Sequence, residues 1–135
     1  MTIHTSPTFK VILVSENINY RNILASKLRL ENFHIELALG GFHLLHLLEK
    51  EKDINMLICH GDMNDMSALE MIAMARQGKP KQELPIVFIA PIMQEDEVSE
   101  LISIGANEYM IQTSNFNHII ERTQKYFQQM KVNAA

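Results

Sequence analysis

The chain alternates between short apolar runs and longer stretches in which apolar and polar residues mix. Five runs have the length and composition of buried strands, and they cover residues 10–14, 34–39, 54–59, 86–90 and 108–111. The stretches after them carry apolar residues at helical spacing. Such alternation predicts right-handed crossovers and helices on both faces of a parallel sheet. We therefore predict an α/β fold, a doubly wound sheet of five parallel strands with five helices.

The spacing also predicts how the helices begin, end and face the sheet. Asn17, Ser67 (with Glu70 completing a capping box), and Ser114 or Asn115 are the predicted N-caps, and Gly105 is the predicted end of the fourth helix. The predicted sheet-facing residues are Ile23, Leu24 and Leu28; Phe42, Leu45 and Leu48; Leu69, Ile72 and Ala73; and Phe116, Ile119, Ile120, Thr123 and Phe127.

Length and composition narrow the class of protein. The chain of 135 residues fits one domain over residues 9–128, with a flexible lead-in over 1–8 and a frayed tail over 129–135. Twelve basic and sixteen acidic residues argue against a nucleic-acid surface. No run approaches the ~20 apolar residues of a membrane span. The single cysteine, Cys59, excludes an intramolecular disulfide, so we expect a cytoplasmic protein.

Candidate chemistry is sought at the carboxyl ends of the strands, where doubly wound sheets place their sites. These ends follow Val14, Leu39, Cys59, Ile89 and Ile111. Elsewhere, His43 and His46 have a spacing that can chelate a metal. They have no Cys or acidic residue beside them, so we interpret them as histidines at the surface or at the boundary of the core. We predict no metal site and no cofactor.

Four local signatures give the chain a resemblance to the receiver domains of two-component response regulators, over roughly residues 9–128. They are the first strand (10–14), Met66-Ser67-Ala68-Leu69-Glu70, the Pro-led fourth strand (84–89), and Ile104-Gly105-Ala106-Asn107-Glu108-Tyr109. The resemblance implies a flavodoxin-like strand order, 2-1-3-4-5. It also implies a role in bacterial signalling.

The resemblance further implies a set of site residues. Receivers hold Mg²⁺ with an acidic pair, accept a phosphoryl group on an Asp, and bind it with a hydroxyl residue and with a Lys that is followed by Pro. Phosphoryl transfer depends on such positioning and charge neutralisation. In this sequence the corresponding residues are Ser15 and Glu16, His60, Ala90, and Gln112 with Thr113. Only Glu16 keeps its chemistry, so we predict a degenerate phosphorylation pocket with no catalytic residue.

Two residues leave alternatives open. His60 is interpreted as a polar side chain that fills the vacated pocket, bonded to Glu16 or Ser15; the alternatives are phosphohistidine and a pH sensor. Asp62 becomes the acceptor if the third strand runs two residues further. The leading function is therefore a phosphorylation-independent protein–protein interaction module. The alternative is an unconventional switch that senses a ligand, pH or non-standard phosphorylation at His60 or Asp62.

The resemblance also implies where a partner binds. Tyr109 matches the aromatic residue that switches position in active receivers. We expect the partner to be another signalling protein or an output domain, and a homodimer to form through the fourth helix, fifth strand and fifth helix. That candidate face comprises Glu100, Ile104, Glu108, Met110 and Arg122. Met63, Met66 and Met93 are predicted to form a soft apolar rim beside the degenerate pocket.

Overall fold

The structure, a computed structural model, describes residues 8–134 and contains five strands that alternate with five helices. The strands are β1 (Lys10–Val14), β2 (His34–Ala38), β3 (Met56–His60), β4 (Ile86–Ala90) and β5 (Glu108–Ile111). The helices are α1 (Ile18–Leu30), α2 (Gly41–Lys50), α3 (Ala68–Ala75), α4 (Glu95–Ile104) and α5 (Asn117–Ala134). All neighbouring strands pair in parallel in the order β2-β1-β3-β4-β5. The predicted fold and strand order are confirmed.

Two apolar cores lie on opposite faces of this one sheet. Alternate residues of a strand point to opposite faces, so Val11 and Leu13 pack under α1 and α5, while Ile12 and Val14 pack under α2, α3 and α4. All four of these side chains are fully buried. Burial on both faces explains why β1 is a continuous apolar run rather than an alternating one.

The predicted helix faces are correct in part. Leu24 and Leu28 of α1 are fully buried, but Ile23 is 48% exposed. In α3, Ile72 is buried as predicted, whereas Leu69 and Ala73 are only partly buried and Met71 takes the core position instead. In α5, Ile119 and Thr123 are buried. The Thr123 hydroxyl donates to the Ile119 carbonyl oxygen at 2.7 Å, which allows a polar residue in that core.

In α2 the predicted face is wrong at its first residue. Phe42 is 63% exposed, and Gly41, Leu44 and Leu48 face the core instead. The cause is a close approach of the β3–α3 loop. A Cβ atom on Gly41 would lie only 2.4 Å from Cγ of Met66, so only glycine fits against this loop. With glycine on the inner side of the first turn, Phe42 points outward.

The ends of the elements also refine the predictions. The Asn17 side chain accepts the Tyr20 N–H as predicted for an N-cap, and Gly105 has a φ of +143°. β2 stops one residue early, and β3 begins at Met56 rather than Ile54 and continues to His60. α5 continues to Ala134, through residues 129–134 of the predicted tail. Residues 1–7 of the predicted lead-in lie outside the described range.

Candidate functional site at the carboxyl edge of the sheet

Three polar side chains meet at the carboxyl edge of the sheet. Ser15 follows β1, His60 ends β3 and Gln112 follows β5. Ser15 Oγ lies 2.9 Å from His60 Nδ1, and His60 Nε2 lies 2.8 Å from Gln112 Oε1. The second contact passes across the end of β4, the strand between β3 and β5, on the face of the sheet that α1 and α5 cover. His60 therefore joins three strand ends.

The bonding pattern fixes the protonation of His60. An amide oxygen only accepts hydrogen bonds, so Nε2 carries the proton that is donated to Gln112, and Nδ1 of the neutral ring accepts from the Ser15 hydroxyl. Ser15 Oγ in turn accepts the Asn17 N–H at 3.1 Å. Burial lowers the pKa of His60, and the hydrogen bond to Gln112 opposes this shift less strongly. The ring is neutral at pH 7 and both nitrogens are occupied.

An aromatic side chain that the sequence analysis missed covers His60. The Tyr20 ring stacks on the imidazole at a centroid distance of 3.7 Å and an angle of 15°, and Phe116 packs against Tyr20 edge-on at 5.2 Å. Burial raises the pKa of Tyr20 to about 12, so the phenol stays protonated. Tyr20 lies in the first turn of α1, the helix that follows the end of β1. This position near a strand end could have indicated that its side chain belongs to the site.

The carboxylates at this edge bind backbone N–H groups. Both oxygens of Glu16 lie 2.9 Å from the Asn64 nitrogen, and Asp62 Oδ1 accepts the Ala68 N–H at 3.0 Å. Glu16 makes no hydrogen bond to His60 within residues 8–134, so the interpretation that names Ser15 is the one that agrees with the geometry. β3 ends at His60, which leaves Asp62 in the loop rather than at a strand end.

The described residues contain no group of three His, Cys, Asp or Glu side chains that could hold a metal ion. His43 and His46 were interpreted as surface or boundary histidines, and His43 Nδ1 accepts the Leu39 N–H at 3.0 Å. The predicted methionine rim is wrong for Met63 and Met66, which are only 6% and 8% exposed. They belong to the core beneath α2, α3 and α4.

The β4–β5 side of the edge is also closed by internal contacts. The Tyr109 hydroxyl donates to the Pro91 carbonyl oxygen at 2.7 Å and lies 3.5 Å from that of Ala90. Its ring packs against the α4 side of the core. Thr113 is exposed, and its hydroxyl donates to the Asn115 carbonyl oxygen at 2.6 Å. Tyr109 thus holds the loop after β4.

The residues of the predicted interaction face lie on α4, on the edge strand β5 and on α5. Glu108 pairs with Arg122 Nε at 3.3 Å and also bonds the Tyr126 hydroxyl, so both of its oxygens are used within the domain. Met110 packs toward α5. Glu100 and Ile104 on α4 are exposed. Glu100 and Ile104 are therefore the exposed members of the candidate face, and the other three residues are partly buried.

Within residues 8–134 no helix has both the length and the apolar character that crossing a membrane requires.

Comparison with known proteins places these features in a family. The model of the protein family described as "Response regulator receiver domain" matches residues 11–124 of this chain. A chemotaxis protein CheY homolog of Campylobacter jejuni is 27% identical over 103 residues, 76% of this chain and 79% of that protein. The transcriptional regulatory protein ZraR of Salmonella typhimurium is 22% identical over 115 residues, 85% of this chain but 25% of that protein.

Solved structures agree on the fold. A CheY-like receiver domain protein from Methanospirillum hungatei superposes with a TM-score of 0.82 at 17% identity, covering 93% of this chain and 98% of that one. The receiver domain of Saccharomyces cerevisiae Ssk1, solved with the histidine phosphotransfer protein Ypd1, superposes with a TM-score of 0.79 at 17% identity, covering 91% of each chain. The family match over most of the length, on a sheet of the same topology, means that this chain belongs to the response regulator receiver domains of two-component signalling.

Proposed function

We propose that this receiver domain acts without phosphorylation, as a protein–protein interaction module in signal transduction. The observation that carries the proposal is the state of His60, which stands where the family pattern has the acceptor Asp. Both ring nitrogens are hydrogen-bonded inside the domain, to Ser15 and Gln112, and Tyr20 covers the ring. The ring has no free lone pair with which to attack a phosphodonor.

The charges around His60 support the same proposal. A phosphoryl group brings a charge of about −2 at neutral pH and needs cations or hydrogen-bond donors around it. The positions that surround the phosphoryl group in the family pattern carry here the Glu16 carboxylate, the methyl group of Ala90 and the neutral amide of Gln112. Nothing among these three side chains offsets the added charge, so modification is disfavoured as well as slow.

The alternative function, a switch at His60 or Asp62, has less support from the contacts. Asp62 Oδ1 caps the first N–H of α3, and its modification would remove that cap. A ligand at His60 would have to displace Ser15, Gln112 or Tyr20. We therefore propose that the pocket is closed in the working protein and that the domain catalyses no reaction.

Relatives indicate the kind of partner. Ssk1 was solved bound to a histidine phosphotransfer protein, and ZraR is a transcriptional regulator of which this chain matches a quarter of the length. We propose that this domain binds another signalling protein or an output domain in the bacterial cytoplasm, rather than nucleic acid or membrane. A homodimer through α4, β5 and α5 would rely on Glu100 and Ile104, the exposed members of the predicted face.

The proposal is tested with a small phosphodonor and with beryllofluoride, each in the presence of Mg²⁺. We expect the mass of the intact protein to stay unchanged and the backbone amide resonances near His60 not to shift. The matched control restores the family residues with Ser15→Asp, His60→Asp, Ala90→Thr and Gln112→Lys. Stoichiometric phosphorylation of the wild type, or large shifts around His60, would contradict the proposal.

A further inference from the structure

Three large apolar side chains are exposed beside the closed pocket. Ile18 in the first turn of α1 is 61% exposed, Leu39 directly after β2 is 57% exposed, and Phe42 in the first turn of α2 is 63% exposed. None of them contributes to either core. Phe42 points outward because Gly41 occupies the inner side of the helix against Met66. Its exposure is thus fixed by the packing of its neighbours.

Three carboxylates lie among these apolar side chains. Asp65 accepts the N–H groups of Gly41 and Phe42, each at 3.0 Å, and Glu16 accepts the N–H of Asn64 in the same loop. Asp62 caps α3 from that loop as well. These bonds connect the segment after β1, the β3–α3 loop and the start of α2. Ile18 and Leu39 lie within three residues of Glu16 and Phe42 in the chain, so the carboxylates and the apolar side chains lie together at the carboxyl ends of β1, β2 and β3. We call Ile18, Leu39, Phe42, Glu16, Asp62 and Asp65 the acidic apolar surface.

Within residues 8–134, none of the three carboxylates of this surface forms a salt bridge. Hydrogen bonds from two backbone N–H groups lower the pKa of Asp65, which keeps it ionised at neutral pH. Arg21 is the basic residue closest in sequence, and its guanidinium donates to the Ser15 carbonyl oxygen at 2.9 Å instead of pairing with a carboxylate. Lys27 and Arg29 of α1 and Lys50 of α2 lie in the last turns of their helices, at the opposite edge of the sheet.

We propose that the acidic apolar surface binds a basic amphipathic segment of a partner protein. This deepens the proposed function, on which it rests, by naming the partner's chemistry. Exposed apolar side chains ringed by charge are typical of interaction sites. The carboxylates select Lys and Arg in the partner and accelerate the encounter, while Phe42 and Leu39 supply the apolar anchors. Repulsion by the carboxylates excludes an anionic membrane surface as the occupant.

The test uses a display library of random peptides of about 15 residues, long enough for four helical turns. Wild-type protein is expected to enrich peptides in which aromatic or aliphatic residues recur at helical spacing beside Lys and Arg. The Leu39→Ser/Phe42→Ser variant should bind the enriched peptides about tenfold more weakly. The matched control is Leu30→Ser/Val132→Ser, because these side chains are 82% and 72% exposed elsewhere on the domain.

A second pair of variants tests the charge. Asp62→Asn/Asp65→Asn keeps hydrogen-bond acceptors and removes two charges, so affinity at low salt should fall about tenfold and depend less on salt. Glu49→Gln/Glu51→Gln, at the far end of α2, is the control and should change little. Enrichment of acidic or uncharged peptides, equal binding by the Ser variants, or self-association of the domain through this surface would overturn the inference.

The selection is repeated with beryllofluoride and Mg²⁺, which separates this inference from the proposed function. Equal enrichment with and without them supports both. Binding that changes on their addition contradicts phosphorylation independence, but it leaves the location and chemistry of the surface intact. If neither the apolar nor the charge substitutions change the binding of the enriched peptides, the acidic apolar surface is not the binding site. That result would leave the proposed function uncontradicted.

Discussion

At the scale of single residues, His60 is held in its neutral form by its surroundings. Neutral imidazole has one donor and one acceptor, and the site offers it one acceptor, Gln112 Oε1, and one donor, the Ser15 hydroxyl. A second proton on Nδ1 would require the Ser15 hydroxyl to turn its hydrogen to the Asn17 carbonyl oxygen, 3.4 Å away, and it would place a charge in a partly buried site. The burial that lowers the pKa of His60 therefore makes folding sensitive to pH.

We predict that the domain loses stability in mild acid because of His60. Its pKa is lowered in the folded state relative to the ordinary value of 6.5, so protons bind preferentially to the unfolded chain below that pH. The free energy of unfolding should fall from about pH 7 to pH 5, with a slope no steeper than about 1.4 kcal/mol per pH unit for one proton. Urea denaturation over this range measures it.

The His60→Gln variant is the control for this titration, because Gln cannot protonate and the other histidines remain. We expect its stability to be flatter than that of the wild type over the same pH range. Parallel curves for the two proteins would mean that His60 does not supply the dependence.

The residue scale also shows what the sequence could not provide. That Ser15, His60 and Gln112 follow strand ends was predictable from the strand pattern, and the sheet order then brings them together. The contact of His60 with Gln112 across the end of β4 depends on side-chain reach that the spacing of residues does not predict. Tyr20 was missed because it lies on a helix turn that the periodicity assigns to neither core nor site.

At the scale of elements, the start of α2 depends on a close contact with the β3–α3 loop. Gly40 precedes the helix without a side-chain cap, and Asp65 from the distant loop accepts its first N–H groups instead. Met66 packs where Gly41 has no side chain. Because these N–H groups are capped by a residue 23 or 24 positions away, the sequence around residue 41 does not show where the helix begins. The side of α2 that faces the core, and with it the outward position of Phe42, was therefore not predicted.

We predict that Gly41→Ala destabilises the domain although alanine favours helix. Replacement of glycine in a helix gains about 0.5–1 kcal/mol, but forcing a Cβ against Met66 costs about 1–3 kcal/mol. The free energy of unfolding should therefore fall by about 1 kcal/mol, within a range of about 0–2.5 kcal/mol, as measured by chemical denaturation.

The double variant Gly41→Ala/Met66→Ala identifies the cause. If the contact with Met66 is responsible, the two substitutions should couple favourably by about 1 kcal/mol, because removal of the methionine side chain makes room for the new methyl group. Strictly additive effects would point to backbone conformation at residue 41 instead.

At the scale of the whole molecule, one sheet serves two cores. Each central strand contributes side chains to both faces, so neither core persists if the sheet separates. This architecture was predictable from the sequence, because the five apolar runs and their intervening amphipathic stretches allow few other topologies. The exposure of the acidic apolar surface was not predictable, because exposed apolar residues such as Phe42 occur at the same helical spacing as residues of the core.

We predict that the two faces unfold together. Leu24→Ala on the α1 side and Ile72→Ala on the α3 side remove fully buried side chains, and each should lower the free energy of unfolding by about 2–5 kcal/mol. The double variant should be nearly additive because the sheet separates the two sites. Circular dichroism and tyrosine fluorescence should give coincident single transitions, and two resolved transitions for either variant would contradict shared cooperativity.

The burial of Cys59 has a practical consequence. Its thiol is fully buried in β3, the middle strand of the sheet, and burial raises its pKa to about 12. Since only the thiolate reacts with alkylating reagents, labelling must wait for the centre of the sheet to open. The rate at which Cys59 is alkylated therefore measures how often the centre of the sheet opens. The same measurement can be made on each of the variants discussed above, without the addition of a probe.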